Sequence, residues 1–341
     1  MTMFTSPSFT GTGAQLALEN VSRRFQPKKD VLTSMAQRWG LAKPTPVVHA
    51  VDNVSLEIKT GEVIGLVGES GCGKSTLGRI AAGIIKPSEG IVRVGGIDES
   101  LASRGAASTL EHLSVQMIFQ DPFASLNPRM RVMDIIGEAA RVHKIPGAEH
   151  YEDYVAAQMK RAGLDPSYMR RYPHQFSGGQ RQRIGIARAL AVNPRFIVCD
   201  ESVAALDVSI QAQVLNLFMD LRDELGLTYL FISHDLSVVE HISDRVAIMY
   251  LGRIVEQGSK AELFSRPNHP YTQALLAEVP TLNANKRTFT AIKGEIPSPI
   301  NPPSGCHFHP RCPHAMPRCR EEKPGLKEVS PEHLSACHLN T

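Results

Sequence analysis

A glycine-rich stretch carries the residue types that bind phosphate groups. Residues 68–75 fit the pattern G-x-x-x-x-G-K-[ST] and lie between a predicted strand and a predicted helix. In such a loop the backbone N–H groups face the β-phosphate, and the helix N-terminus adds partial positive charge. Lys74 is expected to reach the β- and γ-phosphates and Ser75 to bind Mg²⁺. Flanked in this way, the stretch favours a nucleotide site over a glycine-rich turn with a surface lysine. The predicted nucleotide-binding residues are Gly68, Glu69, Ser70, Gly71, Cys72, Gly73, Lys74, Ser75 and Thr76.

Two carboxylates end a short apolar strand predicted at 196–199. The strand's position places Asp200 and Glu201 at the carboxyl edge of a sheet, beside the phosphate-binding loop. Asp200 is expected to hold Mg²⁺ through its water shell, and Glu201 to polarise the water that attacks the γ-phosphate. Alone, such a pair is typical of a solvated loop. Together with the phosphate-binding loop it predicts hydrolysis of a nucleoside triphosphate.

A second anion-binding sequence stands at Ser177-Gly178-Gly179-Gln180. Ser177 would cap the predicted helix that follows, and the two glycines would expose its first N–H groups. One γ-phosphate cannot occupy both anion sites of one chain. We therefore expect a head-to-tail dimer in which each nucleotide lies between two chains.

The elements around these motifs alternate between strand and helix. Alternating residues predict an edge strand at 16–21 and a strand at 51–58, and an apolar run predicts another at 63–67. Residues 75–85 have helical spacing, and the polar, proline-broken stretch 26–46 is interpreted as an insertion loop.

The rest of the chain divides into three regions that differ in pattern and composition. Residues 122–180 form a predicted helical subdomain, whereas strands and helices alternate from residue 196, including an amphipathic helix that ends at Gly226. This alternation indicates a parallel sheet covered by helices. Sequence beyond residue 265 is rich in Pro, Asn and His. We therefore predict a flexible tail at 1–15, a nucleotide-hydrolysing domain at 16–265 and a C-terminal extension at 266–341.

Composition excludes several other classes of protein. The 341 residues carry a formal charge of +3, which is too small to indicate nucleic-acid binding. No apolar stretch approaches the roughly 20 residues needed to span a bilayer. The N-terminus lacks the basic-then-apolar pattern of a signal peptide, so a cytoplasmic location is expected.

The order of these motifs resembles the ABC ATPases, in which S-G-G-Q stands between a phosphate-binding loop and an acid-ending strand. The predicted fold is α/β: a P-loop NTPase parallel sheet core, an N-terminal antiparallel β subdomain, an inserted helical subdomain and a Cys/Pro-rich C-terminal extension. The resemblance implies ATP and Mg²⁺ as ligands. It also implies that Ser177 and Gly179 contact ATP bound to a partner subunit.

Further roles are implied only by this resemblance. Gln120 resembles the glutamine that touches Mg²⁺ or the attacking water, and His234 resembles the histidine on the γ-phosphate. Phe25 resembles the aromatic residue that stacks on adenine, and a buried core phenylalanine is the alternative. Asp207 belongs to the segment called the D-loop. There Ser202 and Ala204 replace the family's usual proline and serine, so slowed or asymmetric hydrolysis is expected.

Longer matches narrow the resemblance to the second ATPase of dipeptide and oligopeptide importers. It implies two membrane permeases, a second and non-identical ATPase, a periplasmic solute-binding protein and a place on the cytoplasmic face of the inner membrane. An exporter ATPase, or a soluble ABC ATPase acting on nucleic acid or ribosomes, is the alternative. The segments that carry the match are 68–79, 120–128, 172–177 and 207–213.

Four cysteines crowd the last part of the chain. Cys306, Cys312, Cys319 and Cys337 lack the paired C-x-x-C spacing of most structural zinc sites. Some members of the family hold a [4Fe–4S] cluster in this region, which would suit four thiolates. A metal site, with iron–sulfur or zinc, and four reduced thiols in a loop-rich segment both remain open.

Overall fold

The structure is a computed structural model that describes residues 13–26, 45–98, 113–278 and 294–340. Nearly all of the predicted tail at 1–15 and of the predicted insertion loop at 26–46 lies outside the described residues. None of the helices in these four ranges is long and apolar enough to cross a bilayer.

An eight-stranded sheet forms the centre of the molecule, in the order β11-β12-β10-β9-β3-β8-β7-β6. Five neighbouring strands run parallel to one another: β9, β3, β8, β7 and β6. Every residue of β3, β7 and β8 is buried, as expected for parallel strands covered on both faces. The strands are β3 (Val63–Val67), β6 (Val115–Ile118), β7 (Phe196–Asp200), β8 (Thr228–Ser233), β9 (Arg245–Tyr250), β10 (Arg253–Ser259), β11 (Lys327–Ser330) and β12 (His333–Ser335).

Helices surround this sheet in the described residues. The amphipathic helix α5 ends at Gly226, whose φ of 67° gives the left-handed conformation that terminates helices. The helices are α1 (Lys74–Ala81), α2 (Val132–Val142), α3 (Tyr151–Arg161), α4 (Gly178–Leu190), α5 (Val208–Leu225), α6 (Leu236–Ile242), α7 (Lys260–Ser265), α8 (Pro270–Ala277) and α9 (Pro317–Glu321). Short 3₁₀ helices span Pro166–Tyr168 and Pro173–Gln175. The predicted α/β fold with a parallel core is confirmed.

A second, antiparallel sheet has the order β2-β1-β4-β5. It is formed by β1 (Ala14–Phe25), β2 (Val48–Lys59), β4 (Glu89–Val94) and β5 (Ile97–Asp98). The prediction of an edge strand at 16–21 is wrong, because β1 pairs with β2 on one side and β4 on the other. Alternation reports which face of a strand is buried, but it carries no information on which strands flank it.

Helices α2, α3 and α4 pack together around a small core of their own in the predicted helical subdomain. Val132, Ile136, Val155, Met159 and Ile184 are fully buried there. Helix α2 contacts both α3 and α4. These residues provide the surface on which the S-G-G-Q sequence is carried.

Sequence beyond residue 265 continues the central sheet. Strands β11 and β12 extend it through β10, with Glu256 opposite Ser335. Phe308 packs against Tyr250 of β9 and Tyr271 of α8, with ring centroids 5.2 and 5.3 Å apart. The C-terminal residues and the parallel strands therefore share apolar contacts.

Candidate nucleotide site

The candidate site lies where four parallel strands end. Val67 at the end of β3 is in register with Ser233 of β8, and Asp200 of β7 with Ile232 of β8. Ile118 of β6 pairs with Cys199. The residues that follow these strands therefore meet at one edge of the sheet, which is where ligands bind in open parallel sheets.

Glycine is required at two positions of the phosphate-binding loop. Gly73 has a φ of 109°, and a Cβ there would lie 2.1 Å from the carbonyl oxygen of Ala50. A Cβ at Gly68 would lie 2.1 Å from the carbonyl oxygen of Met249. Both neighbours are backbone atoms that cannot rotate away. The loop is therefore packed tightly against strands β2 and β9.

Lys74 lies inside this loop. Its side chain is buried, and its Nζ donates hydrogen bonds to the carbonyl oxygens of Gly68 at 2.6 Å and Glu69 at 3.0 Å. Ser70 and Gly71 form the exposed tip of the loop. Burial raises the pKa of the neighbouring Cys72 thiol, so that this side chain stays protonated at neutral pH. This agrees with Cys72 filling space in the loop.

Ser75 and Asp200 lie together beside the loop. The Ser75 hydroxyl donates a hydrogen bond of 2.8 Å to Asp200 Oδ1. Asp200 is only 3% exposed, and this burial raises its pKa, although the hydrogen bond from Ser75 opposes the shift. A hydroxyl and a carboxylate are hard oxygen ligands of the kind that Mg²⁺ prefers. A bound cation would also stabilise the buried carboxylate, so the residues fit the expected ion.

Glu201 lies at the centre of the remaining polar residues. Its Oε2 accepts a hydrogen bond of 2.8 Å from Gln120 Nε2 and lies 3.4 Å from His234 Nδ1. The backbone of Glu201 has a φ of 47°, which is uncommon for a residue other than glycine. Its N–H donates to the carbonyl oxygen of Ile232, which holds this conformation. Three residues from three strand ends are thus brought into contact at one carboxylate.

Phe25 ends strand β1 opposite Val48 of β2. Its ring is half-buried, and the guanidinium of Arg23 lies 4.7 Å from the ring centroid. Strand β2 continues to Ala50, whose carbonyl oxygen packs against Gly73. The aromatic ring therefore stands on β1, which pairs with the strand that supports the phosphate-binding loop.

Comparison with known proteins identifies the family. The sequence model of the ABC transporter family matches residues 51–204, and that of the oligopeptide/dipeptide transporter C-terminal region matches residues 255–319. The oligopeptide transport ATP-binding protein AppF of Bacillus subtilis is 55% identical over 86% of this chain and 90% of its own length. The chain belongs to the ABC transporter family.

Further relatives and solved structures agree with this result. The dipeptide transport ATP-binding protein DppF of Haemophilus influenzae is 49% identical over 87% of this chain and 90% of the relative. A dimeric ATP-binding cassette, MJ0796, in a post-hydrolysis state bound to ADP and Pi has a TM-score of 0.60 and 26% identity, over 72% of this chain and 98% of that cassette. The CbiO1 protein of Clostridium perfringens has the same TM-score and identity, over 74% of this chain and 92% of its own. The protein is an ABC ATPase.

The S-G-G-Q sequence begins helix α4. Ser177 Oγ accepts a hydrogen bond from the Gln180 N–H, and Gln180 Oε1 accepts one from the Ser177 N–H, so the helix begins with a capping box. A Cβ at Gly179 would lie 2.5 Å from Ile210 Cγ2, whereas one at Gly178 would contact nothing within 4 Å. The capping bonds are local, and Ser177 is exposed to solvent.

The segment predicted to be the D-loop joins Glu201 to helix α5. Ser202 is 2% exposed, whereas Ala204 is exposed to solvent. Asp207 precedes the first turn of α5 without capping it through its side chain. The structure therefore has room for a hydroxyl at position 204, whereas the hydroxyl already present at position 202 is enclosed.

Sequence reasoning missed two residues that contact the phosphate-binding loop from the C-terminal part of the chain. Arg311 forms a bidentate ion pair with the Glu69 carboxylate, and the Tyr271 hydroxyl accepts a hydrogen bond from the Glu69 N–H. Their separation from Glu69 by 242 and 202 positions leaves no local pattern to reveal them.

The four C-terminal cysteines are reduced in the structure. Within the described ranges, no group of three or more His, Cys, Asp or Glu side chains is arranged to hold a metal ion. Burial, together with the nearby Cys319, Cys337 and Cys312, raises the pKa of Cys306 to about 11. The iron–sulfur hypothesis therefore gains no support from the arrangement of the described residues.

Proposed function

We propose that this chain is the ATP-hydrolysing subunit that energises the import of di- and oligopeptides. The observation that carries the enzymatic part is the contact of Glu201 with Gln120 and His234, beside the Ser75–Asp200 pair. The peptide specificity is supported by the relatives AppF and DppF, which are oligopeptide and dipeptide transport ATP-binding proteins.

Each part of the site has one task in this proposal. The N–H groups of residues 68–76 and the Lys74 ammonium bind the β- and γ-phosphates, and Phe25 stacks on the adenine. Ser75, Asp200 and Gln120 would hold Mg²⁺, which would neutralise charge on the phosphates. Glu201 orients and polarises the attacking water, and His234 contacts the γ-phosphate.

The second anion site belongs to the neighbouring subunit's nucleotide. Ser177, Gly178, Gly179 and Gln180 begin a helix on the packed helical region, and Ser177 is exposed to solvent. In our proposal they bind ATP held by the phosphate-binding loop of a second ABC ATPase, and Asp207 lies at that interface. The dimeric state of the similar cassette supports such a pair. We infer a non-identical partner, because the family resemblance implies paired importer ATPases.

Two membrane permeases and a periplasmic solute-binding protein complete the transporter in this proposal. The chain would be held at the cytoplasmic face of the inner membrane through the permeases. We also propose the domain division inferred above: an ATPase domain at 16–265, with a helical subdomain at about 122–180 that transmits the motion, and an extension at 266–341.

Reconstitution of the transporter tests this function. The chain is purified with its permeases and partner ATPase, placed in vesicles with ATP on the cytoplasmic side, and supplied with a labelled tripeptide and the binding protein. We expect peptide uptake and peptide-stimulated phosphate release, both lost in Lys74→Ala. Peptide movement in the opposite direction would identify an exporter, and ATP hydrolysis unaffected by peptides would refute peptide transport.

Metal analysis decides between the two interpretations of the cysteines. Anaerobically purified protein would be assayed for iron, zinc and acid-labile sulfide. The control is the double variant Cys306→Ser, Cys312→Ser. Protonated thiols predict less than a tenth of a metal equivalent in both proteins. Near-stoichiometric iron and sulfide in the parent alone would establish a cluster.

A further inference from the structure

The phosphate-binding loop is held from outside by two residues of the C-terminal part of the chain. Tyr271 of α8 accepts a hydrogen bond of 3.0 Å from the Glu69 N–H. Arg311 donates from both terminal nitrogens to the Glu69 carboxylate, at 2.7 and 3.0 Å. Glu69 is thereby fixed at its backbone and at its side chain.

These contacts are unlike a surface ion pair. The Arg311 side chain is 5% exposed and that of Glu69 is 22% exposed. A guanidinium that binds a carboxylate bidentately fixes its orientation as well as its position. The hydrogen bond to Glu69 raises the pKa of Arg311, so that the guanidinium remains charged. The pair therefore acts as a rigid link between the C-terminal part of the chain and the loop.

A cluster of three packed aromatic rings supports this link. The rings of Tyr250 and Tyr271 lie 4.7 Å apart in an edge-to-face arrangement, and Phe308 packs on both. Arg311 Nη1 also lies 3.4 Å from the Tyr250 hydroxyl. Since all three rings are fully buried, the positions of Arg311 and of the Tyr271 hydroxyl are set by close packing.

Glu69 passes this constraint to the phosphate-binding lysine. Its carbonyl oxygen accepts the 3.0 Å hydrogen bond from Lys74 Nζ, and the preceding residue, Gly68, accepts the other. A shift of Glu69 would therefore displace the two oxygens that orient the ammonium. Binding groups must be held to within about half an ångström to be effective.

We propose that Arg311 and Tyr271 are positioning residues of the nucleotide site: they hold Glu69, and through it the phosphate-binding loop and Lys74, in the geometry that binds Mg-ATP. This inference rests on the proposed function of the loop as the ATP site. The C-terminal residues are thus required for nucleotide affinity, although they do not contact the nucleotide.

The test measures the affinity of the full-length chain for Mg²⁺ with a non-hydrolysable ATP analogue, by titration calorimetry. Arg311→Met removes the ion pair, and we expect affinity to fall by about tenfold. Arg311→Lys keeps the charge without the paired donors and should recover part of this loss. Tyr271→Phe deletes only the hydroxyl and should weaken binding by about threefold. The matched control is Arg318→Met, which breaks the exposed Arg318–Glu322 pair and should leave affinity unchanged.

Melting curves separate positioning from general stability. Titrations are made well below each variant's melting transition, where a merely structural role would leave affinity unchanged. An Arg311→Met protein that is folded and binds within twofold of the parent overturns the proposal, as does an equal loss in Arg318→Met. If Arg311→Met does not fold, unchanged affinity in Tyr271→Phe overturns it. A parent chain that binds no analogue refutes the ATP site itself, which is a separate result.

Discussion

Replacing Glu201 by glutamine isolates the chemical step from nucleotide binding. The Glu201 carboxylate accepts the Gln120 hydrogen bond at 2.8 Å and lies 3.4 Å from His234 Nδ1. Glutamine has the same size, and its amide oxygen can still accept the Gln120 hydrogen bond. It loses the negative charge and the basicity that act on water. Because the phosphate-binding loop makes no part of this contact, ATP affinity should change by less than twofold.

The expected loss of turnover follows from the role of the carboxylate. General-base groups contribute roughly 10²- to 10⁴-fold to rate. This corresponds to about 3 to 5 kcal/mol on the barrier. Since the Glu201 side chain is 14% exposed and makes both contacts within the described site, we expect the effect to lie in that range, near 10³-fold.

Turnover is measured as phosphate release by the assembled transporter. Affinity is measured as nucleotide binding to the isolated chain. The control is Glu224→Gln, since Glu224 lies on α5, is 58% exposed and pairs with Arg161 at 3.6 Å, away from the site. Its turnover should match the parent. A Glu201→Gln protein that keeps more than a tenth of the parent turnover would refute the assignment. A loss of affinity equal to the loss of turnover would also refute it.

Three further predictions concern the loop, the D-loop and acid stability. Gly73→Ala should reduce Mg-ATP affinity at least a hundredfold, because its Cβ would lie 2.1 Å from the Ala50 carbonyl oxygen; Gly185→Ala, where a Cβ meets nothing within 4 Å, is the calorimetric control. Ala204→Ser adds an exposed hydroxyl and should raise phosphate release severalfold while unfolding free energy stays within about 0.5 kcal/mol; unchanged turnover would make the natural alanine neutral. Burial lowers the pKa of His269 to about 4, below its value in the unfolded chain. The unfolded chain therefore binds a proton more readily, and the free energy of unfolding should decrease as the pH falls from 6.5 towards 4. Urea unfolding should show a loss of about 2 kcal/mol between pH 7 and pH 5. His269→Asn, which can still accept the Tyr271 N–H that Nδ1 accepts, should reduce this loss, and an identical pH profile would contradict the assignment.

The fold could be predicted wherever the pattern was local. The apolar run at 63–67 became β3 with the same bounds, and the helix predicted to end at Gly226 does so. Strand order was less accessible. Strand β1 lies between β2 and β4, because hydrogen-bonding edges are satisfied by segments that are distant in sequence.

The amino-acid sequence by itself determined the chemical groups of the site. Each of the three motifs, the phosphate-binding loop, the S-G-G-Q sequence and the acidic pair, is a continuous stretch of sequence. The spacing within each motif follows from the local geometry of a loop or a helix start. The sequence also determined that the phosphate-binding loop and the acidic pair would stand at strand ends, since the carboxyl ends of parallel strands share an edge.

Only the tertiary structure decided which of these groups touch. The contact of Glu201 with Gln120 and His234 depends on the register of three strands, and the link from Arg311 to Glu69 joins residues 242 positions apart. Such contacts arise from packing between segments that are far apart along the chain, and no local sequence pattern indicates which segments will meet. The phosphate-binding loop is therefore recognisable in the sequence, whereas the residues that hold it in place appear only when the chain is folded.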